Sequence, residues 1–570
     1  MAARGAAQAD TTARDTTARD TTARDTLPLA LPVFARALPL GPLPAGARYV
    51  FDTDSLAFSN IYTLSDLLGH VPGVYLARGG FIGQAEYAFY GGRGAQGVEV
   101  YWDGIPFLPL GRDSAYLDPA RIPLGALERV EVLPLPGVLR VYLVSRRQGS
   151  TAASSAVGIV SGDRNIARYR GFFARRWRAG PGLALAFERH GVDGAPGTSS
   201  SSFSETDLWL NFEYTPSPRA GISYQILSTT WSRDPEAGLV DRWRARRRDG
   251  LLRFFVAPGG EGLGPRLQLA VTATRVEGDS AVPGTGTGQV LLDATHTWAR
   301  GHAALSVRAG ERRRPLEVEA RGAWIPIRGV TLAAEARRSR YRDHREGHRA
   351  HVSAGLELPV GFSLRGEAVW ARGPAAPLWR SDPAQETVDL AWAARWERHW
   401  ITLEVGGGRR DGFVPGVAPA GLKSVTGLGA TPPTDYVRVA GALRPVPWLS
   451  LAGWYFDPLA GGGDFEPPRH ARISATFFSR FLRVFRSGIF ALRGETAVES
   501  WSSWVGGIRG ADRNQLIGAT FVDHNVELQI GDVTAFWTMR NATGMRASFV
   551  PGLDYPKLIQ FFGVQWQFRN

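Results

Sequence analysis

Cysteine is absent from the 570 residues, which excludes disulfides, thiolate metal sites and a cysteine nucleophile. Lysine is almost absent. Lys423 and Lys557 stand alone, so arginine carries nearly all the positive charge behind a net +13. Two readings of that arginine stay open: the codon bias of a GC-rich genome, or attraction to lipopolysaccharide phosphates or an anionic ligand. The arginines are scattered through alternating segments and form no basic module, so no nucleic-acid partner is expected. Also missing is any charge-free, proline-free apolar run of the roughly 20 residues that a membrane helix needs. The mean hydropathy is −0.14, which alone would place the chain among soluble proteins. That inference fails for barrel strands, which hide their apolar face in alternation.

Signatures of catalysis are lacking as well. There is no G-x-S-x-G, H-E-x-x-H or P-loop, so neither an enzyme activity nor a cofactor is expected. Ten histidines are dispersed. His344, His348 and His351 come nearest to a cluster, in RYRDHREGHRAH, which reads as a solvated turn more readily than as convergent metal ligands. Gly91-x-x-Gly94-x-x-Gly97 has phosphate-loop spacing but opens no helix, and reads as a set of turns.

What the chain does have is aromatic weight, 11% of residues with 18 tryptophans, and a distinct order of regions. Residues 1–9, MAARGAAQA, end in the A-x-A form of a signal-peptide cleavage site without the apolar core. They read as a signal remnant, against the alternative that an alanine-rich start produces the pattern by chance. A perfect repeat follows, Thr-Thr-Ala-Arg-Asp at 11–15, 16–20 and 21–25, too polar and too short to build a solenoid. Residues 26–47 hold five prolines among apolar residues, which prevents a helix. Residues 10–49 are therefore expected to form a disordered, proline-rich periplasmic tether, either a spacer or a segment that adds a strand to a partner sheet.

Residues 50–147 predict a small α+β domain. Thr63 caps a short helix with Asp66 three residues on, and Leu64, Leu67, Leu68 and Val71 fall at helical spacing. Pro72-Gly73 ends it. Val74–Leu76 begins a strand, glycine turns occupy 79–83 and 91–97, and Val98–Trp102 is a second strand before the Asp103-Gly104 turn. Ile122–Leu127 leads into the strand Val130–Leu133, and Val138–Val144 is the last.

The succession TLSDLL, PGV, G-x-G, DG-I-P, I-P-L-x-A-L-E-R-V-E-V and PG resembles the plug domain of TonB-dependent outer-membrane receptors over about 95 residues. Two segments depart from the family pattern: Tyr90-Gly91-Gly92-Arg93-Gly94 at the first G-x-G, and Leu135–Leu143 where a glycine-rich run is usual. The chain also ends on Arg569-Asn570, not on the aromatic residue usual for such barrels.

From 148 to 570 the pattern is amphipathic and strand-like throughout. In Asp207–Tyr214, Leu208, Leu210, Phe212 and Tyr214 share one face, and Asp207, Trp209, Asn211 and Glu213 the other. Phe562, Val564, Trp566 and Phe568 alternate likewise with Gly563, Gln565 and Gln567. Segments of this kind run from 154–162 to 557–568, among them 469–480, 482–493, 495–505, 515–523 and 524–538. They predict an antiparallel transmembrane β-barrel of about 22 strands, the size that holds a plug. Longer loops are expected at 191–205, 232–247, 277–288, 372–386 and 411–434.

The resemblance implies a monomeric receptor in the outer membrane of a Gram-negative-type bacterium, in contact with lipid and lipopolysaccharide. It would bind a scarce small or medium-sized extracellular ligand, a siderophore-like metal chelate among the candidates. A TonB-type inner-membrane complex would supply the energy for import by pulling on a short segment, for which Asp25, Thr26, Leu27, Pro28 and Leu29 are the candidates. Plug loops 78–87 and 107–116 would face the ligand. Arg78 and Arg112 suit carboxylate or phosphate, and Tyr87 and Tyr116 offer area and a hydroxyl. Each could equally pack between plug and barrel. Two alternatives are a plugged barrel that serves structure or adhesion without transport, and a passive porin.

Overall fold

The computed structural model describes residues 42–110, 115–193, 202–234, 243–259, 263–278, 284–310, 315–342, 344–375, 383–419, 421–422 and 424–569. Asp25–Leu29 and Arg112 lie outside the described residues.

The N-terminal domain comprises β1 (Tyr49–Phe51), α1 (Thr53–Ala57), α2 (Leu64–Leu68), β2 (Val74–Arg78), β3 (Glu86–Tyr90), β4 (Val98–Trp102), β5 (Ile105–Pro106), β6 (Leu127–Leu135) and β7 (Val138–Ser145). Helix α2 starts as its sequence dictates: the Thr63 amide donates to Asp66 Oδ2 at 2.9 Å, satisfying one of the amides a helix start leaves over. Strands β1, β6, β7, β4 and β5 form one mixed sheet in that order, parallel only between β7 and β4. Strands β2 and β3 form a separate hairpin. Strand β3 is an addition to the sequence expectation; it lies between two glycine turns and carries Tyr87 and Tyr90. Leu64, Leu67, Leu68, Val71, Val130, Leu139 and Leu143 are buried together and make the domain's core.

The rest of the chain closes into an antiparallel barrel of 22 strands around this domain. Its seam joins the last strand, Ile559–Arg569, to the first, Ser154–Gly162, with Val564 opposite Ile159. The wall is inverted relative to a water-soluble protein. Along Phe203–Ser217, Glu205, Asp207, Asn211 and Glu213 are buried, whereas Leu208, Phe212 and Tyr214 are more than 40% exposed. Leaving such side chains in water would forfeit roughly 1.5–3 kcal/mol each. Repeated around the wall, that pattern defines a lipid-facing exterior and a polar lumen.

The two rims differ. At one, hairpins close in a few residues, as at 299–300, 399–400, 447–448 and 531–532, and the plug chain joins the barrel there through 146–153. Trp177, Trp298, Trp324, Trp400, Trp448 and Trp566 are exposed near this rim, an aromatic girdle of the kind that marks a membrane interface. At the opposite rim lie the longer connections, including 411–433, 459–469, 502–518 and 541–558. The described strand ends that flank the five loops expected from composition all lie at that rim.

The expected strand segments follow the observed ones in order up to His470–Ser479 and again at the last strand, Ile559–Arg569, but several between them fail. Residues 482–489 are a turn: Phe485 packs on Phe490 outside the ladder and Ile489 is exposed, so their apolar character does not mark a strand. Residues 524–538 are parts of two strands, Ala519–Ile530 and Val533–Arg540, folded at Gly531-Asp532. A two-residue turn is too short to interrupt an apolar alternation. Residues 515–523 straddle the end of a loop hairpin, Asp512–Leu516, and the start of the wall strand at Ala519.

Candidate ligand-binding site at the plug apex

Two glycine-dependent turns bring the plug against the long-loop rim. Gly83 has φ +92° and lies so close to the Phe203 ring that a Cβ would clash. This turn ends the β2–β3 hairpin and leads to Tyr87. Gly92 has φ +64°, and a Cβ there would lie 2.6 Å from Thr431 in the loop 411–433; the Thr431 hydroxyl donates to the Gly92 carbonyl at 2.7 Å. The Gly91–Gly97 segment is thus a close backbone approach between plug and barrel loop.

The Asp103-Gly104 turn between β4 and β5 is fixed from below. Asp103 accepts from the Ser145 amide and hydroxyl and from Gln225 Nε2, at 2.7–2.9 Å. From β5 the chain enters the loop that carries Tyr116, whose hydroxyl donates to the Val417 carbonyl at 2.8 Å. The Tyr87 and Tyr116 rings meet edge to face at 5.7 Å.

Two cavities flank this loop. The larger, about 200 Å³, lies between the plug and the long-loop ends of the strands that carry Arg337, His348 and Arg372. Glu99, Tyr101 and Tyr116 line it from the plug, and Arg337, Tyr341, His348, Arg349 and Arg372 from the barrel. The smaller, about 60 Å³, is lined by Tyr87, Tyr116, Asp118, Arg121 and the Trp231–Trp243 pair. Tyr116 therefore borders both and Tyr87 the smaller. Arg78 lines neither. It pairs with Asp66 at 2.9 Å in a third cavity, beside Arg472, Glu499 and Arg540.

The larger cavity is cationic. Glu99 is its one carboxylate among the described residues, and two guanidinium groups already answer it: Arg337 at 2.5 Å and Arg140 at 3.1 Å. Burial works to raise the Glu99 carboxyl, but these arginines hold it well below the usual range. Arg349 is left over, with Nε and Nη2 buried and without hydrogen-bond partners among the described residues. A buried guanidinium with unmet donors is costly unless something accepts from it, and a carboxylate, catecholate or phosphate would. Sequence reasoning missed Arg337, Arg349 and Arg372, since in the strand pattern they look like any lumen-facing arginine. The stretch RYRDHREGHRAH read as a solvated turn does contain a turn, but Arg349 and His348 sit on the strand Glu346–Glu357 beyond it. His348 faces Glu346 at 3.2 Å and His351 faces Glu367 at 3.3 Å.

A belt of buried ion pairs joins plug to wall. Asp66 binds Arg540 at 2.7 Å, Arg140 binds Glu335 at 2.5 Å, Arg93 binds Asp389 at 2.5 Å and Arg121 binds Glu205 at 2.8 Å. Arg147 pairs with Glu213. Although burial opposes ionisation, Arg540 and Arg78 hold the Asp66 carboxyl well below the usual range. Asp118 goes the other way: burial pushes it up to about 6, with Arg121 only partly offsetting it. The Leu135–Leu143 segment, which departs from the family pattern, keeps a tight Pro136-Gly137 turn and supplies Arg140 to this belt.

Residues 44–139 match the TonB-dependent Receptor Plug Domain model. With the 22-strand barrel, this gives the chain the plug-and-barrel architecture of TonB-dependent receptors. Among solved structures it resembles a mutant of the ferric enterobactin receptor PfeA from Pseudomonas aeruginosa, with TM-score 0.71 and 10% identity over 92% of this chain and 98% of that one. It also resembles the copper transporter OprC (TM-score 0.70, 10% identity, 92% and 100% covered). A third likeness is to the siderophore receptor PirA from Acinetobacter baumannii (0.71, 9%, 92% and 100%). No curated protein matched the chain.

Proposed function

We propose that this chain is an outer-membrane receptor that captures a small anionic ligand, a metal chelate being the best fit, in the cationic cavity beneath the long-loop rim. Import follows when a TonB-type complex pulls on Asp25–Leu29 and shifts the plug. The observation that carries the reading is the Arg349 guanidinium, two of whose nitrogens have no partner among the described residues, in a cavity bounded by plug and barrel together. A ligand held there touches both bodies, so its binding energy couples to their relative position. The named ligands of the similar receptors, ferric enterobactin and copper, point to metal uptake. Tyr87, Arg112 and Tyr116 are proposed as ligand contacts. Arg78 is proposed to act from the third cavity, through Asp66. The chain works as a monomer in a Gram-negative outer membrane, with lipid and lipopolysaccharide around the wall.

The test is uptake of radio-iron as ferric citrate and as a ferric catecholate, in cells lacking their own ferric receptors. Deleting 25–29 should abolish uptake and spare binding to whole cells. Arg349→Gln should weaken binding about tenfold, the worth of one charge-assisted contact. Uptake that survives deletion of 25–29 would contradict energised import. Failure of both probes to bind would contradict the chelate assignment.

A further inference from the structure

The connection 480–489 is the longest on the short-turn rim, although the same rim closes a hairpin at 531–532 with two residues. Its sequence is Arg-Phe-Leu-Arg-Val-Phe-Arg-Ser-Gly-Ile. It is an ordered turn. The amides of Val484 and Phe485 both donate to the Phe481 carbonyl at 2.8 Å, and the Gly488 amide donates to that of Phe485 at 3.1 Å. Phe481 and Phe485 pack on Phe490 at 5.7 and 4.7 Å, and Phe477 links this base to Trp448.

From that base the side chains point out, not in. Leu482, Phe485 and Ile489 are exposed, and Val484 is 73% exposed. They continue the lipid-facing band of the adjoining strand, where Ile473 is also exposed. Interleaved with them are Arg480, Arg483 and Arg486, all exposed and none in an ion pair among the described residues. No aspartate or glutamate occurs anywhere from 467 to 494. Apolar residues at membrane depth beside uncompensated arginines are what a lipid interface selects: the apolar groups enter the acyl boundary and the guanidinium groups meet phosphate.

We propose that 480–489 is a binding site for anionic phospholipid headgroups in the leaflet on the plug-entry side, with Arg480, Arg483 and Arg486 as phosphate ligands and Leu482, Val484 and Phe485 as the membrane wedge. The site holds this sector of the rim to the leaflet.

The experiment is native mass spectrometry of the detergent-purified full chain with equal phosphatidylglycerol and phosphatidylcholine. Wild type should retain phosphatidylglycerol in preference, and Arg480→Gln/Arg483→Gln/Arg486→Gln should lose about tenfold of that preference. A heat-modifiability gel verifies that each barrel is closed. Should the triple variant fail to fold, Arg483→Gln alone should lower the preference severalfold. Wild type without preference, or folded variants that keep it in full, would overturn the proposal.

Discussion

The plug is held in two different ways, inside and outside. Its interior is apolar: Leu64, Leu67, Leu68, Val130, Leu139 and Leu143 bury one another completely or nearly so. Its junction with the barrel adds to apolar contact with wall residues such as Trp209, Leu227 and Leu251 a set of buried ion pairs, Asp66–Arg540, Arg140–Glu335, Arg93–Asp389 and Arg121–Glu205. Apolar burial is lost whenever water enters, but a charged group that leaves its partner regains hydration. The difference teaches that the plug is cohesive within and exchangeable at its edge. A pulling force should part the junction before it unravels the domain.

The sharpest way to break the comparison is to spoil one junction pair while leaving the other side charged. Arg140→Met strands buried Glu335, and should cost about 3–5 kcal/mol. Replacing Glu335 by Met as well should recover most of it. Urea midpoints of plug release, followed by trypsin cleavage, check both. Leu67→Ala tests the interior instead, with an expected loss of about 2–5 kcal/mol from the cavity. Hydrogen exchange should then rise across β2, β6 and β7. On the lipid face, Val564→Arg should cost about 2–4 kcal/mol near the bilayer midplane, measured by equilibrium refolding into vesicles, whereas Gln565→Arg, facing the lumen, should cost less.

The smallest effects are in pH, and they have opposite signs at the two junction carboxylates. Asp66 keeps its proton off below the ordinary value, so its contribution is full above about pH 4 and is lost as acid is added. Asp118 holds its proton up to about 6 where the unfolded chain lets go near 3.8. Its carboxyl therefore favours the folded junction at low pH, and stability falls as pH rises from about 4 to 6. Asp118→Asn should flatten the junction's pH profile over that window, as read from urea midpoints between pH 4 and 7.

The same contrast decides what could be read from the sequence. Capping at Thr63, the helical spacing of Leu64, Leu67 and Leu68, and the alternation at Leu208–Tyr214 are local rules, and they placed α2, β2, β4, β6 and β7 of the plug and most of the wall. The turn at Gly531-Asp532 escaped because it spans only two residues. The loop hairpin at Trp504–Leu516 escaped because a loop strand obeys the same alternation as a wall strand, and the one at Ser548–Asp554 because its strands are only two or three residues long. The cavity was illegible for another reason. Arg349 and Glu99 are 250 positions apart, and nothing local distinguishes an arginine left unpaired from one that is satisfied. Tyr116 and Tyr87 were named for their place in expected plug loops; both border a cavity, Tyr87 from strand β3. Arg78 sat in an expected loop, but its partner Asp66 lies on the helix α2.

The absence of cysteine allows one decisive measurement. A Cβ on Gly125 would lie 3.8 Å from the Ala186 Cβ on the wall, the separation a disulfide prefers. Gly125→Cys/Ala186→Cys can therefore pin plug to barrel. Planar-bilayer conductance of this variant would be followed during a urea ramp, oxidised and reduced. If the junction parts first, the reduced form should open at the wild-type urea concentration and the oxidised form should stay closed well beyond it. Opening at the same urea concentration in both forms would mean that the plug unfolds in place, and would contradict the account.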